Sequence, residues 1–256
     1  DIEIAGITSV YGNSSVDIVH ETNIALLREI GRDDIPVVKG CSEARDHKAE
    51  APRFIVDMVN SNEGTLSILA TGPLTNLYAA YRLDPTIFEK GREVIVMGGV
   101  TEPLIINGHE LKELNFSCDP EATSNVLRNG KNVTVITGNA CLDAFFPQVD
   151  FQRRLASSNR PLAKFIQARC SYWFDKMRSS FGLSGFYNWD VAASVRLAEP
   201  ALFEDMRRTI EPSLDVLRNG LLTDLPGPTS SHCTINIPKI SDAGRFSDEV
   251  YRSWLR

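Results

Sequence analysis

Residues Glu93 to Ala122 read EVIVMGGVTEPLIINGHELKELNFSCDPEA, and the order of residue types in this stretch decides the fold. Val94, Ile95, Val96 and Met97 form a short unbroken apolar run, the pattern of a strand covered on both faces. Gly98-Gly99 ends the run where backbone must turn sharply or lie close to a neighbour. Asn107, Glu113 and Asn115 follow within a few residues. An open α/β sheet presents a polar-ligand site in this way, at the carboxyl end of a strand. Asn both donates and accepts, and Glu accepts from two hydroxyls at once, so a polyhydroxylated ligand such as a sugar suits the group. The alternative is that these side chains cap turns in a glycine-rich loop.

Outward from this stretch the chain repeats a unit of strand, polar turn and helix. Ile2, Ile4, Ala5, Ile7 and Val10 read as a first strand ended by Gly12-Asn13. Ser14 or Ser15 then caps a helix whose residues Val16, Val19, Leu26, Leu27 and Ile30 keep helical spacing up to Gly31. Strands are expected at Ile35 to Val38, Thr65 to Ala70 and Val133 to Thr137, and helices at Arg53 to Asn60, Leu74 to Arg82 and from Pro120 through Val126. The second half reads as helical from Phe151 to Met177 and from Trp189 to Leu197, with a loop over Gly220 to Ser231. A last strand near Cys233 to Ile237 and a helix from Asp248 complete the pattern. Such alternation implies an α/β fold, an open and mainly parallel sheet with helices on both faces, in one domain over residues 1–256.

With 256 residues, 43% of them hydrophobic, the chain can bury one sizeable core. Its net charge of -6, and the absence of a Lys/Arg cluster beyond helix-surface pairs such as Arg153-Arg154, argue against nucleic acid as a partner. Five cysteines without a C-x-x-C pair fit a reducing compartment, and no apolar run is long enough to span a membrane. A cytoplasmic protein with a small ligand is the expectation.

Two further segments carry chemistry. LATGPLTN at Leu69 to Asn76 turns the backbone of Thr71 and Gly72 towards the crevice at a strand end, where a carbonyl suits a hard cation. The alternative is a plain strand-to-helix turn capped by Thr75 or Asn76. Asn188-Trp189-Asp190 sets an indole and a carboxylate at the start of an apolar helix, so Asp190 either caps that helix or binds a metal, and Trp189 either packs or stacks on a base.

In this order the YGN turn at Tyr11 to Asn13, LATGPLTN, VMGG at Val96 to Gly99, the Asn107 to Asn115 spacing and NWDVAA at Asn188 to Ala193 resemble the nucleoside hydrolases, the inosine- and uridine-preferring N-ribohydrolase family. The resemblance implies a calcium ion (Ca2+) at the bottom of the pocket, to which Thr71 would give a carbonyl and Asp190 a carboxylate. It implies that Asn107, Glu113 and Asn115 hold the ribose, with Asn13 and Met97 lining the same pocket. Attack by water then passes through an oxocarbenium-like transition state. Trp189 stands where many members have histidine, as in the purine-specific type, and Tyr187, Trp173 or Phe186 would complete a sandwich around the base. His20, His47, His109 and His232 match no family acid and read as lone surface residues.

Two departures accompany the likeness. The family's opening strand and its D-x-D-P-G-x-D-D motif, source of the water-activating aspartate and of further metal ligands, have no counterpart in these residues. Asp33-Asp34 has no Asp-Pro-Gly turn ahead of it, and a His-Gly loop expected near Arg45-Asp46 is also missing. The general base is therefore expected upstream of Asp1. The alternative is a degenerate member that binds nucleoside or ribose without hydrolysing it. Homodimers or homotetramers are implied by the resemblance.

Overall fold

The computed structural model describes residues 2–224 and 232–255. Its elements in chain order begin with β1 (Ile7–Thr8), α1 (Val16–Glu29), β2 (Val37–Val38), α2 (Ala51–Ser61), β3 (Ser67–Ala70) and α3 (Thr75–Leu83). Then come α4 (Ile87–Lys90), β4 (Glu93–Met97), β5 (Leu104–Ile106), β6 (His109–Leu111), α5 (Pro120–Asn129) and β7 (Val133–Ile136). The second half holds β8 (Phe145–Pro147), α6 (Gln148–Ala156), α7 (Pro161–Phe181), β9 (Gly185–Tyr187) and α8 (Trp189–Ala198). It closes with β10 (Phe203–Glu204), β11 (Arg207–Ile210), α9 (Leu214–Leu217), β12 (Cys233–Asn236), β13 (Lys239–Ile240) and α10 (Ala243–Trp254).

The main sheet runs β11-β12-β7-β4-β3, parallel from β12 to β3 and antiparallel at the β11 edge. β4 lies inside it, and its residues divide between two cores. Val94 and Val96 pack with Leu74, Leu77, Phe116 and Val126 on one face. Ile95 packs with Ile136, Phe146, Phe174 and Phe186 on the other. A strand sealed on both faces needs apolar residues at every position, which is why its sequence shows no alternation.

The first expected strand is reduced to Ile7–Thr8, which pairs with β2 apart from the main sheet. Ile2 and Ile4 stay exposed because no neighbouring strand covers them. β3 forms the other edge of the main sheet, and Leu69 on it is 37% exposed. The small pair is tied to the large sheet through α3, where buried Asn76 donates to the Ser9 carbonyl at 2.9 Å and accepts from the Cys41 amide at 2.8 Å. Thr75 and Asn76 thus bridge layers instead of capping α3, Thr75 donating to buried Asp119 at 2.8 Å.

The long helical span splits into α6 and α7, because Pro161 lacks a donor and takes the first helical position, where none is needed. The last helix starts at Ala243, five residues early, with Asp242 as its cap accepting from the Arg245 amide. Asn107-Gly108 forms a two-residue hairpin turn with φ of 48° and 79°, the geometry that Asn-Gly favours. The loop expected over 220–231 lies outside the described residues from 225 onward. Among the described residues no helix is long and apolar enough to cross a membrane.

Candidate active site

The site grows from the carboxyl ends of β3 and β4. A side chain at Gly98 would lie 2.6 Å from the Phe116 ring, and Gly99 has φ of 71°. The glycine pair therefore exists to admit Phe116 against the strand end. Seating Phe116 delivers its neighbour Asn115, whose amide nitrogen donates to the Met97 carbonyl at 2.9 Å and to the Thr71 carbonyl at 3.4 Å. Thr71, Met97 and Asn115 are thus brought together at the two strand ends. The Asn115 amide oxygen accepts no hydrogen bond among the described residues. Asn13 is exposed in the turn after β1, and that turn abuts the Thr71 turn, since a side chain at Gly12 would lie 3.3 Å from Pro73.

Glu113 has a different occupation. Its carboxylate accepts from the backbone amides of Gly99 at 3.1 Å, Phe116 at 2.9 Å and Ser117 at 2.9 Å. Those bonds fold the loop back onto β4, so the side chain expected to grip ribose is a brace for the loop that carries Asn115. Glu113→Ala strands three amide donors, and its stability loss is expected to be about 2–4 kcal/mol by urea denaturation. A loss within about 0.5 kcal/mol, the range of an ordinary surface change, contradicts the brace.

Asn107 is exposed at the tip of the β5–β6 hairpin and donates to the Phe181 carbonyl at 2.8 Å. It meets the end of α7, and no hydrogen bond links it to Thr71, Asn115 or Asp190. Sequence spacing could not show this, because Phe181 lies 74 positions away.

Asp190 is the second residue of α8, which packs on β4 and β3. The helix start is pinned to the loop after β7, as the Asn188 amide donates to the Ala144 carbonyl at 2.9 Å and the Cys141 thiol to the Trp189 carbonyl at 3.7 Å. The Asp190 carboxylate caps nothing and makes no hydrogen bond or ion pair among the described residues. It is exposed to water on one side and has protein packed around the rest of it. That enclosure desolvates the charged form and pushes its pKa from 3.8 up to about 6.

The sign of the linked stability follows. The folded state holds the Asp190 proton more tightly than the unfolded state, so stability falls as pH rises from 3.8 to about 6 and stays reduced above that. Without added metal, Asp190→Asn is expected to raise the melting temperature at neutral pH and to lose that advantage below pH 3.8. A neutral-pH melting temperature at or below the parent's contradicts an unpartnered carboxylate.

The aromatic side of the site corrects one expectation and adds a residue. Phe186 is 4% exposed and stacks on Phe146 in the core, so it cannot face a base. Trp173 lies on α7 with the Lys176 ammonium 4.8 Å from its ring. Half-buried Tyr187 stands beside half-buried Trp189, ring centroids 5.2 Å apart, and Phe145 lies 5.0 Å beyond it. Phe145 carried no sequence signal, since it enters through a strand partner 42 positions away. His109 and His232 are exposed as expected, whereas His20 and His47 are half-buried, the former bonded to Ser9 at 3.4 Å.

Calcium takes about six to eight oxygens. The Thr71 carbonyl and the Asp190 carboxylate supply too few, and among the described residues no group of three or more His, Cys, Asp or Glu gathers. These residues by themselves do not make a calcium site.

Residues 1–248 match the profile of the inosine-uridine preferring nucleoside hydrolases. A probable uridine nucleosidase 2 of Oryza sativa subsp. japonica is 24% identical over 282 residues, covering 93% of this chain and 83% of that protein. The inosine-uridine preferring nucleoside hydrolase of Leishmania major is 25% identical over 284 residues, covering 96% and 87%. A solved plant nucleoside hydrolase superposes with a TM-score of 0.87 at 23% identity, over 99% of this chain and 91% of that one. With a profile match over nearly its whole length and the same fold, the chain belongs to the inosine-uridine preferring nucleoside hydrolase family.

Proposed function

We propose that this nucleoside hydrolase prefers purine ribonucleosides, releasing free base and ribose, and that it requires calcium. Cleavage of the N-glycosidic bond is the activity of the family to which it belongs. The purine preference rests on one observation, the half-buried Trp189 indole beside Tyr187 at the residue preceding Asp190. A fused bicyclic base overlaps an indole more fully than a single ring does, and stacking contributes about 1–3 kcal/mol per base. Kinship does not decide the base, since the rice relative is named for uridine.

Bond breaking leaves positive charge on the ribosyl ring, so negative charge and oriented dipoles around the sugar lower the barrier. Asp190 supplies the charge from the start of α8, its carboxylate partly desolvated by the protein around it. Asn115 turns its free amide oxygen to a ribose hydroxyl while its nitrogen braces both strand ends. Asn13 and Met97 line the pocket, and Asn107 and Glu113 reach ribose only on leaving the partners described above. Calcium dependence asks for oxygens beyond Thr71 and Asp190, together with a carboxylate base. The assembled enzyme is proposed as a homodimer or homotetramer, which sedimentation tests.

The test is steady-state hydrolysis of inosine and uridine. Trp189→Ala is expected to lower kcat/KM for inosine about tenfold more than for uridine. Equal losses remove the stacking assignment. A second reading, nucleoside binding without turnover, is favoured by one observation: Glu113 is committed to backbone amides, which leaves Asp190 as the unpaired carboxylate of the site. Inosine binding without ribose release selects that reading.

A further inference from the structure

Phe145, Tyr187 and Trp189 form a continuous ladder of rings that ends beside Asp190. β8 and β9 place Phe145 directly opposite Tyr187, with their rings 5.0 Å apart and tilted by 55°. The next step, from Tyr187 to Trp189, is 5.2 Å at 39°. The alternate residues of the same strand pair, Phe146 and Phe186, fill the core at 0% and 4% exposure. Side chains alternate across a strand pair, so the Phe145–Tyr187 face turns away from that core and stays half-buried. Core packing therefore does not account for this second aromatic pair.

The backbone at Trp189 is fixed from below by the Ala144 and Cys141 contacts, and its side chain packs in part against the core that holds Phe146 and Phe186, but its two side-chain torsions still have to be set to present the ring face. Among the described residues the one ring lying against its indole is Tyr187, and Tyr187 in turn lies against Phe145. We infer that Tyr187, backed by Phe145, is a positioning residue that holds the Trp189 indole for stacking and so sets the preference for a two-ring base. The inference rests on the proposed purine reading. It assigns the effect to the tyrosine ring, because its hydroxyl makes no hydrogen bond among the described residues. Bicyclic bases depend on full overlap with a fixed indole; a single-ring base gains less from that overlap and loses less when the indole is free to turn.

The experiment compares Tyr187→Ala, Tyr187→Phe and Phe145→Ala with the parent for inosine and uridine, and records near-ultraviolet circular dichroism of each and of Trp189→Phe. Tyr187→Ala is expected to raise KM for inosine about tenfold and to lower kcat by less than about threefold, with a smaller KM change for uridine. Tyr187→Phe keeps the parent ratio, and Phe145→Ala falls between. Tyr187→Ala should also lose the dichroic band that Trp189→Phe loses. Equal damage to both nucleosides, or Tyr187→Phe as harmful as Tyr187→Ala, overturns the inference. If the parent cleaves neither nucleoside, the purine-hydrolase reading fails, and the dichroic band decides positioning by itself: an unchanged band in Tyr187→Ala overturns it. Should Tyr187→Ala fail to fold, Tyr187→Leu fills the volume without the ring face and takes its place.

Discussion

Asp190→Ala is expected to reduce ribose release by at least about a thousandfold in a protein that stays folded. The size follows from what surrounds the carboxylate. Among the described residues it caps no helix and pairs with no cation, and partial desolvation has pushed its pKa up to about 6. A group held in that condition contributes nothing to stability at neutral pH that would explain its presence. A transition state that carries positive charge on the ribosyl ring gains from this unpaired negative charge. Steady-state rates and thermal melts of the same preparation check this. A variant that melts like the parent and turns over within tenfold of it removes Asp190 from the machinery.

Asn115→Ala should reduce kcat/KM by about a hundredfold or more, mostly in kcat. The Asn115 amide nitrogen spans the Met97 and Thr71 carbonyls, which end adjacent parallel strands. Alanine removes both that brace and the free amide oxygen next to it, so ribose loses a hydrogen-bond partner and the pocket loses its registration. Asn115→Asp keeps an acceptor but points a carboxylate at two carbonyl oxygens, so it should not rescue. Full activity in either variant contradicts the placement of ribose against Asn115.

Much of the frame was legible from local pattern. β4 was read to the residue because a strand buried on both faces needs an unbroken apolar run, and both cores claim alternate residues of it. The helix expected from Pro120 is present as α5, and the structure adds the Asp119 side chain accepting from the Ala122 amide at its start. Asn107-Gly108 was a hairpin signal in plain view, yet the polar character of the loop drew the reading to ligand chemistry. What stayed hidden depends on partners far along the chain. Phe186 and Tyr187 are adjacent, and which of them faces the core is settled by pairing with β8, 40 positions and more away. The chemistry of Glu113 was read correctly as an acceptor, but its partners are three amides that exist only once the loop has folded. Ile2 and Ile4 show the converse, the start of an apolar strand pattern left exposed because no strand among the described residues pairs with it.

Ribose release from inosine and from uridine by the purified protein, with and without a calcium chelator, tests the central claim most directly. The expected result is faster release from inosine than from uridine, abolished by the chelator and by Asp190→Ala. Retention of inosine without any release of ribose, at saturating calcium, would contradict hydrolysis and leave a nucleoside-binding protein in its place.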